Sequence, residues 1–345
     1  MSIIFPDDAP SPGAPSTARA PGLVARDVHR SFGTTRALDG VDLTARAGAV
    51  TALVGPNGSG KTTLLLIFAG LVAADSGAVT VAGYDPVTHG AAARGRTGWM
   101  PDAFGTWDSL TAREVLLTFA AAYRLTAERG AARVAELLET VHLTEFADRP
   151  ASVLSRGQKQ RLGLARALVH DPDVLLLDEP ASGLDPRSRV DLRVLLRQLA
   201  AEGKTVLVSS HVLSELDEMS DAAVFLSRGR TVATETVETT ESARRTWRLR
   251  SLSLAALTAW LDDVGASWRP DDDARIRPQA SGSRAGGSGT VAPDRPGGVL
   301  IEIDGESGAA TLLRDLALAR IPVTSLAPAG GGLEQAYLAL EEDRR

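Results

Sequence analysis

The sequence predicts an α/β fold: a largely parallel sheet covered by helices on both faces, interrupted by a helical insert and followed by a small α+β appendage. Three observations carry this. The apolar runs AVTALV (49–54), DVLLLD (173–178) and TVLVSS (205–210) have the length and continuity of strands buried on both faces. Helix-like patterns separate them, as parallel strands require. Between about 109 and 170 no such run occurs, and TAREVLLTFAAAY and RGAARVAELLETV place apolar side chains at three- and four-residue spacing.

Taken in order, residues 1–22 are rich in Pro, Ala and Ser without a periodic apolar face and read as a disordered leader. The strands and the helical insert, about 103–170, fill 23–236. Beyond about 237 the pattern changes. Arg248 to Arg250 end a short strand, 252–264 is helix-like, 299–303 is a strand, a helix runs through Ala319, and 323–326 is a last strand. The amphipathic stretch 333–340 closes an accessory unit spanning 237–345. Within it, 270–298 carries Asp271 to Asp273 and SGSRAGGSG, a flexible, solvated excursion that burial cannot repay.

Composition narrows the function classes. Of 345 residues, 44% are hydrophobic and 23% charged, as in ordinary globular chains. There is no cysteine, which removes disulfides, thiolate metal sites and a thiol nucleophile. A net charge of -6 opposes a generally basic surface, so nucleic acid is not the expected partner. The longest apolar run, 64–74, falls short of the roughly 18 to 20 residues that a membrane-crossing helix needs. Asp7, Asp8 and the early prolines lack the basic start of a secretory signal, so the expected location is cytoplasmic.

The chemistry concentrates in three segments. GPNGSGKT follows the first apolar strand and precedes a helical run, the setting in which such a pattern holds phosphate. Across Gly55, Pro56, Asn57, Gly58, Ser59 and Gly60 the glycines let the backbone curl so that N–H groups turn inward toward phosphate oxygens, and the following helix N-terminus, with Thr63, adds positive potential. Lys61 would reach the β- and γ-phosphates and the Thr62 hydroxyl would ligate Mg²⁺. The chain has only three lysines, Lys61, Lys159 and Lys204, so one at this place is not background. VLLLDEP delivers Asp178 to a strand end, where it can hold Mg²⁺, and sets Glu179 to accept a proton from, or orient, the water that attacks the γ-phosphate. Alone, two acids at a strand end more often mark a solvated loop start or a helix cap; together with the phosphate loop that preference reverses. LSRGQKQRLGLARAL (154–168) opens as a loop and continues as a helix, and an isolated SxxQ there is a helix cap at Ser155.

The order GPNGSGKT, LSRGQ, LLLDEP, ASGLD and a strand ending before His211 resembles the nucleotide-binding subunit of an ABC transporter, over about 23–229. The resemblance implies a P-loop NTPase fold of the ABC type with a mainly parallel central sheet. LEQAYLAL near the end is similar to the C-terminal extension of drug- and polyketide-exporter ATPases. By resemblance, Ser155, Gly157 and Gln158 form a signature loop that closes over ATP held by the opposite subunit, and Arg156 stands where the commoner pattern has glycine. Phe32 resembles the aromatic that stacks on adenine. Leu184 and Asp185, with Pro186 fixing the turn, would communicate between the two sites, and His211 would bond the γ-phosphate. Asp102 replaces the glutamine that ligates Mg²⁺ and senses the γ-phosphate; a carboxylate can ligate the ion but has no N–H to donate. Residues 103–114 would face the membrane partner.

The implied activity is ATP hydrolysis by a head-to-tail homodimer, or a heterodimer with a related ATPase, that drives a separate integral-membrane permease from the inner face of the membrane. A soluble ATPase of DNA repair, chromosome maintenance or translation is the competing class; the uninterrupted stretch from Lys61 to Ser155, the single ATPase unit and the acidic charge oppose it. A regulatory subunit that binds ATP more than it turns it over is a third reading.

Overall fold

The computed structural model describes residues 21–103, 105, 109–210, 212–236, 244–271 and 296–329. Its central element is a six-stranded sheet in the order β5-β6-β7-β3-β8-β9. The strands are β3 (Val50–Val54), β5 (Thr97–Met100), β6 (Val174–Asp178), β7 (Thr205–Ser210), β8 (Ala222–Ser227) and β9 (Arg230–Thr236). All pairings are parallel except β8 with β9.

β3, β6 and β7 are buried at every residue. Their side chains alternate between two cores, as the period of a strand requires. Val50, Ala52, Leu175, Leu177, Val206 and Val208 face one core, together with the helical insert. Leu53, Leu176 and Leu207 face the other. The insert comprises α3 (Ala112–Ala122), α4 (Ala127–Thr140) and α5 (Arg156–Leu168). Thr111 starts α3 with a reciprocal cap in which its hydroxyl accepts from Glu114 N–H and Glu114 accepts from the Thr111 amide. α6 (Pro186–Ala201) and α7 (Leu213–Asp217) flank the sheet beyond β6 and β7.

The opposite core is closed by an antiparallel sheet that the sequence reading did not anticipate: β1 (Pro21–Phe32) between β2 (Thr35–Arg46) and β4 (Ser76–Val81). α1 (Lys61–Phe68) packs beneath it, and the short α2 (Gly90–Gly95) precedes β5. These strands are buried on one face only. In β2, Val41, Leu43 and Ala45 are buried while Asp42 and Thr44 are exposed. Pro21 and Gly22 belong to β1, and the Gly22 carbonyl accepts from Ala82 N–H at 2.7 Å, so the expected leader is too long by these two residues. The rest of the leader lies outside the described residues.

The C-terminal unit has its own core of Trp247, Leu249, Leu257, Leu261, Val299 and Ile301 with neighbours. Its order is β10 (Arg244–Ser251), α8 (Leu254–Asp263), β11 (Trp268–Pro270), β12 (Gly297–Asp304), α9 (Gly305–Leu318) and β13 (Val323–Pro328). The sheet order β11-β12-β10-β13, antiparallel throughout, is the split βαβ arrangement. The expected excursion at 270–298 is trimmed at both ends, since Pro270 pairs with Val299 and Gly297 with Ser251. Residues 333–340 lie outside the described residues. Among the described residues no helix is long and apolar enough to cross a membrane.

Candidate functional site

The carboxyl ends of β3 and β6 open into one cleft of about 560 Å³. It is lined by Asn57, Gly58, Gly60, Lys61, Thr62 and Thr63 from the loop after β3 and by Asp178 and Glu179 from the end of β6. β3 ends at Val54, so the chain must turn at once into α1. Gly60 makes that turn at φ 106, and a Cβ there would lie 2.7 Å from the Ala37 carbonyl oxygen. Only glycine fits both the dihedral and the space. Gly55 and Ser59 are buried beneath the loop, whereas Pro56, Asn57 and Gly58 are exposed at its crest.

Lys61 is the first residue of α1 and is 7% exposed. Its Nζ donates to the Gly55 carbonyl at 2.7 Å and the Pro56 carbonyl at 3.3 Å, so the loop closes around its own lysine. Burial pulls the ammonium below its usual range, against the opposing pull of the Glu179 and Asp178 carboxylates. A polyanion entering this cleft would favour the charged lysine.

Thr62 Oγ1 donates to Asp178 Oδ2 at 2.9 Å, joining the two halves of the site. The other carboxylate oxygen of Asp178 accepts from the Ser209 hydroxyl. Asp178 is 3% exposed and thus fixed from both sides. Glu179 follows at φ 52, a left-handed conformation costing of order 1–3 kcal/mol for a non-glycine residue. It is held there by its amide, which donates to the Ser209 carbonyl at 3.1 Å and the Ser209 hydroxyl at 3.2 Å, and by its carbonyl, which accepts from Gln160 Nε2 at 3.2 Å.

Asp102, two residues past β5, also lines the cleft. Thr62, Asp178 and Asp102 together offer oxygen donors only, the set a hard divalent cation takes. Phe32 is 46% exposed at the end of β1 and does not line the cleft, although its cross-strand partner Thr35 does. Ser155, Gly157 and Gln158 do not line it either. Ser155 caps α5, accepting from Gln158 N–H at 3.2 Å while Gln158 Oε1 accepts from the Ser155 amide at 2.8 Å. Arg156 turns away from them into the cleft wall and donates to Ser182 Oγ at 2.6 Å.

Asp185 does not line this cleft. Its carboxylate caps α6, accepting from the Ser188 hydroxyl at 2.5 Å and the Ser188 amide at 3.0 Å, which hold it below the usual carboxylate range. His211 lies outside the described residues. The sequence reading missed Ser209, whose signal is a polar residue at the end of an otherwise apolar strand, and Arg36, which lines the cleft from β2. Arg36 has no signal of its own, because the strand carrying it was not expected.

The ABC transporter family model matches residues 38–182. The chain is 40% identical over 208 residues to Nod factor export ATP-binding protein I of Burkholderia lata, covering 60% of this chain and 68% of that protein. It is 39% identical over 212 residues to daunorubicin resistance ATP-binding protein DrrA2 of Streptomyces coeruleorubidus, covering 61% of this chain and 66% of that protein. Among solved structures, an ATP-binding subunit of an ABC transporter matches with a TM-score of 0.59 and 27% identity over 64% of this chain and 91% of its own. The dimeric post-hydrolysis state of the cassette MJ0796, bound to ADP and Pi, matches with a TM-score of 0.58 and 28% identity over 62% of this chain and 98% of its own. A glycine-rich loop closed around Lys61, an acid pair at the neighbouring strand end and these likenesses converge: the chain belongs to the ABC transporter family, as an ATP-binding ATPase subunit.

Proposed function

We propose that this chain powers an exporter, with two ATPase subunits closing head to tail over ATP and passing that motion to a separate integral-membrane permease. The observation that carries the reading is the cleft in which Lys61, Thr62, Asp178 and Glu179 converge while Ser155 and Gly157 stand outside it. The capped amino end of α5 is therefore available to a second subunit's nucleotide, where its amides and the Ser155 hydroxyl would meet the γ-phosphate. The export direction is supported by relatives named for Nod factor export and daunorubicin resistance. A location at the inner face of the membrane follows from the permease partner.

In the proposed reaction the loop from Gly55 to Thr63 binds the triphosphate, and Lys61 leaves its carbonyl partners to neutralise the β- and γ-phosphates. Thr62, Asp178 and Asp102 fit Mg²⁺, which would offset charge on the phosphate oxygens. Glu179, aimed by its left-handed backbone, accepts the proton of the attacking water or orients it. Proton handling of this kind contributes about 10²- to 10⁴-fold. His211 bonds the γ-phosphate, Phe32 stacks on the base, and Leu184 with Asp185 sits where the two subunits meet.

The test is Glu179→Gln. Phosphate release should fall at least about 100-fold while ATP still drives dimerisation, followed by light scattering. Undiminished hydrolysis by the purified variant would overturn the assignment of Glu179.

A further inference from the structure

We infer that Arg30 is a positioning residue for the nucleobase: its guanidinium covers one face of the Phe32 ring, Asp75 locks it there, and the other face is kept for the base. The inference rests on the reading of Phe32 as the stacking ring.

Arg30 and Phe32 are two apart on β1, so their side chains leave the same face of the strand. The guanidinium carbon lies 4.6 Å from the ring centroid, inside the roughly 6 Å range of cation–π attraction. Arg30 Nε is buried and has no hydrogen-bond partner among the described residues. Its NH1 instead donates to Asp75 Oδ1 at 2.7 Å.

An exposed ion pair on a hairpin is ordinarily a weak constraint. This one is tied more firmly. Asp75 Oδ2 accepts from the Ser31 amide at 2.7 Å, and the Asp75 amide donates to the His29 carbonyl at 2.8 Å. Asp75, immediately before β4, is thus clasped to β1 on both sides of Arg30. The clasp fixes the guanidinium, and the guanidinium restricts the ring. Phe32 pairs with Thr35 at the hairpin end, and Thr35 lines the cleft, so the ring stands at the edge of the cleft where a base would project. A Phe32 so backed pays less rotamer entropy when a base stacks on its open face.

The action is confined to the base, which separates it from a general loss of structure. The full chain would be titrated with ATP and with inorganic tripolyphosphate, which has the phosphates but no base. Phe32→Ala should weaken ATP about tenfold and leave tripolyphosphate within twofold. Arg30→Ala should weaken ATP about three- to tenfold, again sparing tripolyphosphate, and should raise KM for ATP without lowering kcat. Arg30→Lys, which keeps the charge but not the planar stack, and Asp75→Asn should fall between, and they carry the test if Arg30→Ala does not fold. The double variant Arg30→Ala/Phe32→Ala should bind ATP no more weakly than Phe32→Ala alone, since both act through one ring. The inference fails if Phe32→Ala weakens ATP and the Arg30 and Asp75 variants do not, or if their effects extend equally to tripolyphosphate. Unchanged ATP binding by Phe32→Ala removes the stacking reading itself, and this inference with it.

Discussion

Ser155 and Gln158 hold each other at the start of α5, each side chain occupying the backbone amide of the other. The hydroxyl proposed to meet a second subunit's ATP therefore also starts a helix of its own subunit. The two roles separate by substitution. Aspartate caps helices about as well as serine, so Ser155→Asp should unfold within about 0.5 kcal/mol of the parent chain. It also sets a carboxylate against the γ-phosphate, and ATP-driven dimerisation of a Glu179→Gln background should disappear. Ser155→Ala should lose about 1 kcal/mol as well. Dimerisation by the aspartate variant at the parent's ATP concentration would reduce Ser155 to a cap.

Lys61 is folded onto the carbonyls of its own loop, and in the proposed reaction ATP draws it off. Lys61→Ala should lower ATP affinity at least about tenfold, roughly 1.4 kcal/mol, in equilibrium titration. Its thermal stability should change little, because burying a charged ammonium is itself costly.

Ser209 is fully buried and its hydroxyl donates to Asp178. Ser209→Ala leaves a buried carboxylate oxygen short of a partner and should cost about 1–3 kcal/mol in denaturant unfolding. An unfolding midpoint equal to that of the parent would show that water replaces the hydroxyl freely.

His170 stacks on Tyr123 with ring centroids 3.6 Å apart, and its Nε2 lies 3.1 Å from the Thr97 carbonyl. Burial lowers its pKa to about 4, against a smaller raising effect of that carbonyl. The folded chain therefore resists protonation that the unfolded chain accepts near pH 6.5. Stability is unaffected by this group above about pH 6.5, falls as pH drops toward 4, and levels off below. After discounting for partial exposure the loss is on the order of 1–3 kcal/mol. His170→Phe keeps the ring stack, and its unfolding free energy should depend less on pH between 7 and 5 than that of the parent.

The parallel strands were legible because burial on both faces leaves continuous apolar runs such as VLLLD. The antiparallel sheet was not, because β2 is buried on one face and its signal is the alternation of Val41, Leu43 and Ala45 among polar residues. Gly60, Lys61, Thr62, Asp178 and Glu179 could be read as one site, since each motif ends at a strand terminus. The role of Ser209 could not, because it depends on which strand comes to lie next to β6. The cap at Asp185 is a local feature: its carboxylate serves the helix that it begins, a use that any sequence of the form DPRS permits.

The placement of β7 between β3 and β6 has a consequence for how the protein is made. Synthesis proceeds from the amino end, so the ribosome releases the phosphate loop and both acids before the strand that must separate them. Until β7 arrives, β3 has no neighbour leading to β6, and Asp178 lacks the hydroxyl that fixes it. The ability to grip nucleotide is thus acquired late in translation: arrested chains displaying everything through α6 should retain no ATP, whereas those extended past β9 should.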